Sequence, residues 1–339
     1  MATIQQAGLE KIQINLRPAG VATTIPLANM IVLKNVDPAM PLDVADRDYS
    51  GASTGTFTSF ISSSKQAGGS SMAIDFTTLS YRDLTLLFEM FLQGGVVPVE
   101  TPAASGRYVW THGSQSTIDD LARAGIQAGG DIGKLQAIDM LGSQLTINGT
   151  ATAGKLTAAA QLLGGAPTDQ VSFNAPIAYD SGEQVVFGED VAVFVDDLAG
   201  NIGTTRLDCE LVKNIAVSIN NAVSSVDTTC GKQYGREKRY LEVTIEALMG
   251  QGAWDELVNE ITDQKRYFQL YIPNDPVPAS ATAYWKLNVA GFWKPYTLSI
   301  DGAFRSVALT VWSEYDETLG YDWLSELYNN LATFPAYQP

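Results

Sequence analysis

Few residues in this 339-residue chain have the types and spacing that chemistry needs. The chain has one histidine, His112, in a Thr-His-Gly context. With no cysteine or second imidazole nearby it lacks the company of a zinc site, and it reads as a surface or turn histidine. Cys209 and Cys230 could pair across neighbouring strands, although two reduced, semi-buried thiols are the plainer reading. The acid pairs Asp119–Asp120 and Asp196–Asp197 could approach a hard cation. An adjacent pair offers calcium too few oxygens, and Asp196–Asp197 precede a turn, where aspartate is common anyway. Gly125, Gly129, Gly130 and Gly133 do not follow a strand and open a helix as a dinucleotide fingerprint must, so they read as loop. Asn148-Gly149-Thr150 matches a glycosylation acceptor, but the opening MATIQQAGLEKIQINL lacks a secretory pattern. No nucleophile elbow, phosphate loop or metalloprotease signature is present. The expectation is a non-enzyme with no cofactor and no metal, because no convergent constellation exists.

Two clusters could make contacts instead. KQYGREKR places Lys232, Arg236, Lys238 and Arg239 within eight residues, in an otherwise acidic half. This is a solvated basic loop or a contact that docks on an acidic face of another copy. Trp285, Phe292, Trp293 and Tyr296 could line a binding groove, and core packing explains them at least as well.

Composition narrows the partners. The net charge is −16, and only 17% of residues are charged. Residues 1–170 carry 14 acids and 10 bases, and residues 171–339 carry 23 acids and 11 bases. Such a surface repels phosphate, so tight nucleic-acid binding is not expected. No run of eighteen apolar residues suggests a membrane span. Thr, Ser, Gly and Val recur and every candidate helix is short, which favours a β-rich class.

The elements that would hold these residues repeat. Residues 145–161 (LTINGTATAGKLTAAAQ) and 298–314 (LSIDGAFRSVALTVWSE) align without a gap, at a spacing of 153 residues. Both have hairpin grammar, with alternating strands around Asn-Gly or Asp-Gly. Upstream, each half offers a strand and then an amphipathic helix. Leu84, Leu87, Phe88 and Phe91 share one face of the first; Trp254, Leu257, Val258 and Ile261 share one face of the second. Candidate opening strands are MIVLKNV at 30–36 and NIAVSINNAV at 214–223. Period and punctuation predict a first domain over 1–170, interrupted by a Ser/Gly-rich loop at 43–71. An ordered linker hairpin over 171–204 leads to a second domain over 205–320. Residues 321–339 read as a C-terminal helix and tail, with Trp323, Leu324, Leu327, Tyr328 and Leu331 on one side.

A duplicated β-domain with one helix, a long inter-strand loop, closing hairpins and no active site resembles the tail tube proteins of long, non-contractile-tailed bacteriophages. The resemblance rests on the order NIAVSINNAV, loop, KRYLEVTIEAL, helix, on the paired hairpins, and on the loop followed by SSMAIDFTTLSYRDLTLLFEMFL. It implies a mainly β fold with short helices: two tandem tail-tube-like β-sandwich or barrel domains, each with one α-helix and a closing hairpin. Many family members carry one such domain and this chain carries two, so three chains would supply the six units of a ring. The rings would stack into a virion tail tube assembled in the host cytoplasm, and double-stranded DNA would pass through the lumen without tight binding. Partners would be further copies of the chain and the tail terminator, baseplate and tape measure proteins. Alternation around Leu145, Ile147, Leu298 and Ile300 as core residues turns Thr146, Asn148, Ser299 and Asp301 toward the lumen. Contacts between rings would fall to Phe57, Phe60 and Lys65 in the long loop and to Lys232, Arg236, Lys238 and Arg239. The other readings are a single-ring baseplate component and a β-rich adhesion module.

Overall fold

The computed structural model describes residues 11–17, 30–33, 42–44, 70–114, 121–129, 134–164, 168–169, 172–176, 185, 187, 191–207, 212–228, 231–236, 238–251, 253–255, 264–274, 283–294, 297–301 and 303–333. It is mainly β, as the composition implied. The first half opens with β1 (Lys11–Arg17), β2 (Ile31–Val32), β3 (Leu42–Val44) and β4 (Ser70–Phe76). Then follow α1 (Tyr81–Phe91), β5 (Val99–Glu100), β6 (Tyr108–Gly113) and β7 (Arg123–Gly129). The long β8 (Lys134–Thr150), β9 (Leu156–Gly164) and β10 (Thr168–Asp169) close it. The linker contributes β11 (Ala192–Asp196) and β12 (Arg206–Leu207), which pair as a hairpin, as expected. The second half contains β13 (Val212–Asn220), β14 (Val223–Thr228), β15 (Gly231–Arg236) and β16 (Tyr240–Leu248). It ends with β17 (Lys265–Pro273), β18 (Tyr284–Trp293), β19 (Thr297–Asp301), β20 (Phe304–Ser313) and β21 (Trp323–Asn329).

The pairing order of the first half recurs in the second. β7 lies between β1 and β8, as β17 lies between β11 and β18. β9 lies between β4 and β8, as β20 lies between β16 and β19. β3 flanks β4 as β13 flanks β16, and β10 flanks β8 as β21 flanks β18. β8 changes partners along its length, pairing with β7 up to Met140 and with β9 from Leu141. β18 and β19 divide the same work, and the Lys294 N–H donates to the Thr310 carbonyl at 2.7 Å between them.

The two halves are joined edge to edge. β8 pairs with β13 from Asn214↔Thr150 to Asn220↔Gln144. One antiparallel surface therefore runs β3-β4-β9-β8-β13-β16-β20-β19. A second surface runs β12-β11-β17-β18-β21-β6-β5, in which β6 of the first half adds to β21 of the second. Buried apolar side chains from both halves form one contiguous cluster.

α1 forms where Ser80 and Asp83 make a reciprocal capping box, each side chain bonded to the other's backbone N–H. The sequence indicated an apolar stripe, yet all of α1 except Arg82 is buried. β6, β8 and β21 surround it, so Thr85 and Glu89 also lie inside.

Several expectations change. The C-terminal helix is a strand: in β21, Trp323, Ser325, Leu327 and Asn329 alternate inward. Two inward residues are polar, which hid the period of two. Each is paired, Trp285 Nε1 donating to Ser325 Oγ at 3.0 Å and Asn329 Nδ2 to Thr85 Oγ1 at 3.0 Å. The gapless hairpin alignment does not carry over to register. Leu156 faces Gly149, whereas its aligned residue Leu309 faces Ile245 and not Gly302. The first hairpin turns over residues 151–155, past Asn148-Gly149, while the second joins Asp301 directly opposite Phe304. Residues 232–236, read as a loop, form β15. Gly125 and Gly129, also read as loop, lie in β7; Gly130 and Gly133 fall outside the described residues. In the second helix only Gln251 and Ala253–Asp255 are described; Leu257, Val258 and Ile261 fall outside, and Trp254 is exposed.

Candidate functional site

The eight-stranded surface has two different faces. Inward, Phe76, Ala158, Ile147, Val217, Val243 and Val311 lie side by side across six strands, all buried. Outward, the adjacent row is Asp75, Ala159, Thr146, Ser218, Glu242 and Trp312. The next outward row is Thr157, Asn148, Ala216, Thr244 and Thr310. Period-two alternation in every strand produces this division, because successive side chains point to opposite faces. Thr146 and Asn148, the expected polar positions, do lie opposite buried Leu145 and Ile147.

Small and hydroxylic groups dominate the outward face, and two of its acids, Glu246 and Glu242, have neighbouring cations. Lys213 sits 3.3 Å from Glu246, which also accepts from Asn214 Nδ2. Lys294 pairs with Glu242, whose carboxylate also accepts from Trp312 Nε1, and the ammonium stands 3.4 Å from the Trp312 ring centroid. Thr244 and Thr310 share a hydroxyl hydrogen bond at 2.9 Å. Lysines held by carboxylates offer a polyanion little electrostatic binding energy.

The outer end of this surface departs from expectation. Leu298 and Ile300 were assigned to the core, but they are 53% and 79% exposed. Their partners Val307 and Arg305 show that they do point toward the core side; nothing described covers the sheet there. Ser299 is exposed and shares a hydroxyl hydrogen bond with Ser306 at 2.7 Å. Asp301 lies opposite Phe304, and its side chain is outside the description. Among the described residues β19 pairs only with β20, so its other edge is open.

The joint between the halves holds residues that sequence reasoning missed or misplaced. Asn221, buried at the end of β13, donates through Nδ2 to the Phe91 carbonyl at 3.0 Å and to the Gly142 carbonyl at 2.9 Å. Arg239, assigned to a contact between rings, turns inward. Its Nη2 donates to the Leu92 carbonyl at 2.8 Å, and its guanidinium carbon lies 4.4 Å from the Trp323 ring centroid. Lys238 is exposed. Lys232 lies opposite Asp227 and Arg236 opposite Val223 in the β14–β15 hairpin. Phe57, Phe60 and Lys65 lie outside the described residues, as do Cys209, Cys230 and Asp119–Asp120.

His112 is not a surface residue; it is fully buried on β6. Its Nε2 lies 3.4 Å from Glu89 Oε1, and its ring packs edge-on to Phe88 and parallel to Trp110, with centroids 5.6 and 6.5 Å away. Pairing of β6 with β21 causes this burial, and only the distant strand reveals it. Asp196 organises the linker hairpin, accepting from the backbone N–H groups of Gly203, Thr204 and Thr205 and from the Thr204 hydroxyl. Burial raises its pKa, but the hydrogen bonds from Thr205 and Thr204 outweigh that and leave it below the ordinary value. Trp285 and Trp293 are buried in the core, so they do not line a groove. No group of three metal-ligating side chains exists among the described residues.

The outward face can present a polar, non-adhesive surface, and its open edge can accept another strand. No protein-family model matches the chain, and no curated protein matches it.

Proposed function

We propose that the chain is a structural subunit of a bacteriophage tail tube, built from two tandem tail-tube-like β-domains. Three copies form a ring, and rings stack into a conduit for DNA. The observation that carries this reading is the β8–β13 joint. It fuses two four-stranded units of like pairing order, β3-β4-β9-β8 and β13-β16-β20-β19, into one sheet with a polar outward face. β19 holds in the second unit the place that β8 holds in the first, and among the described residues its edge is open. Strand addition there by the first half of another copy repeats the internal joint and removes an edge that otherwise templates aggregation. Three such surfaces supply 24 strands, about 115 Å around at ~4.8 Å per strand, a circle of roughly 37 Å diameter that widens as strands tilt. The outward face then lines the lumen, where Thr146, Asn148 and Ser299 meet water or DNA that slides without binding. The stretch between β3 and β4 and the β14–β15 hairpin, with Lys232, Arg236 and Lys238 beyond it, reach neighbouring rings. In the virion the tube ends meet terminator and baseplate proteins, and the lumen holds the tape measure protein before DNA passes.

Negative-stain imaging and native mass measurement of the concentrated protein test this. Stacked tubes whose rings contain three copies of the 36.4 kDa chain are expected. A ring of six chains overturns the equivalence of the halves, isolated rings favour a baseplate component, and persistent monomers refute assembly.

A further inference from the structure

Within the chain, the turn end of the first hairpin is covered by the linker segment that leads into β11. Val185 and Phe187, just ahead of β11, are buried. The Val185 N–H donates to the Leu79 carbonyl at 2.7 Å, and the Leu156 N–H donates to the Val185 carbonyl at 3.2 Å. Val185 thus bridges the end of β4 and the start of β9, beside the direct Leu79 N–H to Leu156 carbonyl bond at 3.0 Å. Phe187 lies against Gly149 so closely that a Cβ there would stand 2.6 Å from its ring.

The second half builds the same place and, among the described residues, leaves it uncovered. The Met249 N–H donates to the Arg305 carbonyl at 2.8 Å, as Leu79 does to Leu156. No described residue bridges Met249 and Arg305 as Val185 bridges the first pair. Beside them the core-side residues Leu298 and Ile300 are exposed. The last described strand runs away from this place: β21 meets β18 at Tyr284↔Tyr328, the far end of that strand from β19.

β1 occupies in the first half the pairing place that β11 occupies in the second. The counterpart of the Val185–Phe187 segment is therefore the stretch ahead of β1, where the sequence carries Ile4, Ala7 and Leu9. Since the segment ahead of β11 covers the preceding unit, the segment ahead of β1 covers the unit that precedes it in a ring, which is the second half of another copy. We propose that residues 4–9 of one copy pack over Leu298 and Ile300 of its neighbour and bridge Met249 and Arg305. This rests on the proposed ring and names the contact that closes it.

Cross-linking of assembled full-length protein tests the contact. A benzophenone amino acid is placed at position 300, and equal amounts of isotopically light and heavy chain are mixed before assembly. The expected product joins position 300 to the tryptic peptide of residues 1–11, with mixed light–heavy mass. Cross-links to another part of the neighbour, in rings that form normally, overturn this contact and leave the ring intact. Same-copy links alone overturn it too, and a protein that never forms rings takes down the underlying reading with it. Deleting residues 2–9, ahead of β1, should leave the thermal transition of the monomer unchanged and reduce ring yield at least tenfold. Wild-type ring yield from that deletion refutes the proposal.

Discussion

Arg239→Ala separates an internal clamp from a contact between copies. The guanidinium donates to the Leu92 carbonyl beyond the C-terminus of α1 and stacks on Trp323 of β21, so it ties the first half's helix to the last strand of the second. A charged-donor hydrogen bond of this kind contributes about 1.5–3 kcal/mol. The ring contact adds about 0.5–2 kcal/mol, toward the upper part of that range where the site is shielded from water. The two share one group and do not add fully, so the alanine variant should lose about 3 kcal/mol. Arg239→Lys keeps the charge but loses the planar stacking and should lose about half of that. Urea unfolding of the monomer measures the loss, with an unchanged slope on denaturant concentration. The deficit should persist between low and high salt, because screening acts weakly on a partly buried group. A loss below about 1 kcal/mol, accompanied by failed stacking of rings, would refute the clamp and return Arg239 to the surface role that its basic neighbours suggested.

Other expectations follow from single positions. Gly291→Ala should unfold the chain or leave it insoluble, because its Cβ would stand 1.7 Å from the backbone oxygen of Trp312; Gly149→Ala meets only side chains and should cost about 1–3 kcal/mol in the same urea assay. Burial raises the Asp83 pKa from 3.8 to about 6 against the opposing Ser80 hydrogen bonds, so this group's stabilisation is complete below 3.8 and lost as pH rises through about 6; Asp83→Asn should flatten melting temperature against pH in that window. The Lys265 hydrogen bond lowers Asp316 to about 2, so its contribution is present above 3.8 and lost as pH falls through about 2; Asp316→Asn should remove that part of the acid limb. Replacing residues 50–70 with a short Gly-Ser turn should leave monomer melting nearly unchanged while stacking is lost in sedimentation, and normal tubes would place the ring contacts elsewhere.

The sequence alone carried whatever depends on neighbours along the chain. Leu84, Leu87, Phe88 and Phe91 marked the first helix because residues three and four apart share one face of a helix. Strict alternation through Leu145, Thr146, Ile147 and Asn148 assigned the two faces of β8, since a strand has a period of two whatever it packs against. The linker hairpin was readable from its turn residues, and the Thr-, Ser- and Val-rich composition announced a mainly β chain. Tertiary structure decided what depends on distant partners. β21 reads as a helix until Trp285 and Thr85 satisfy its inward Ser325 and Asn329. His112 and Arg239 look like surface groups until β6 and β21 meet across the halves and take both inside. Leu298 and Ile300 have the alternation of core residues, but alternation sets only the direction of a side chain. Whether that direction leads to a core depends on a second layer, and at the open edge of β19 the described chain does not supply one.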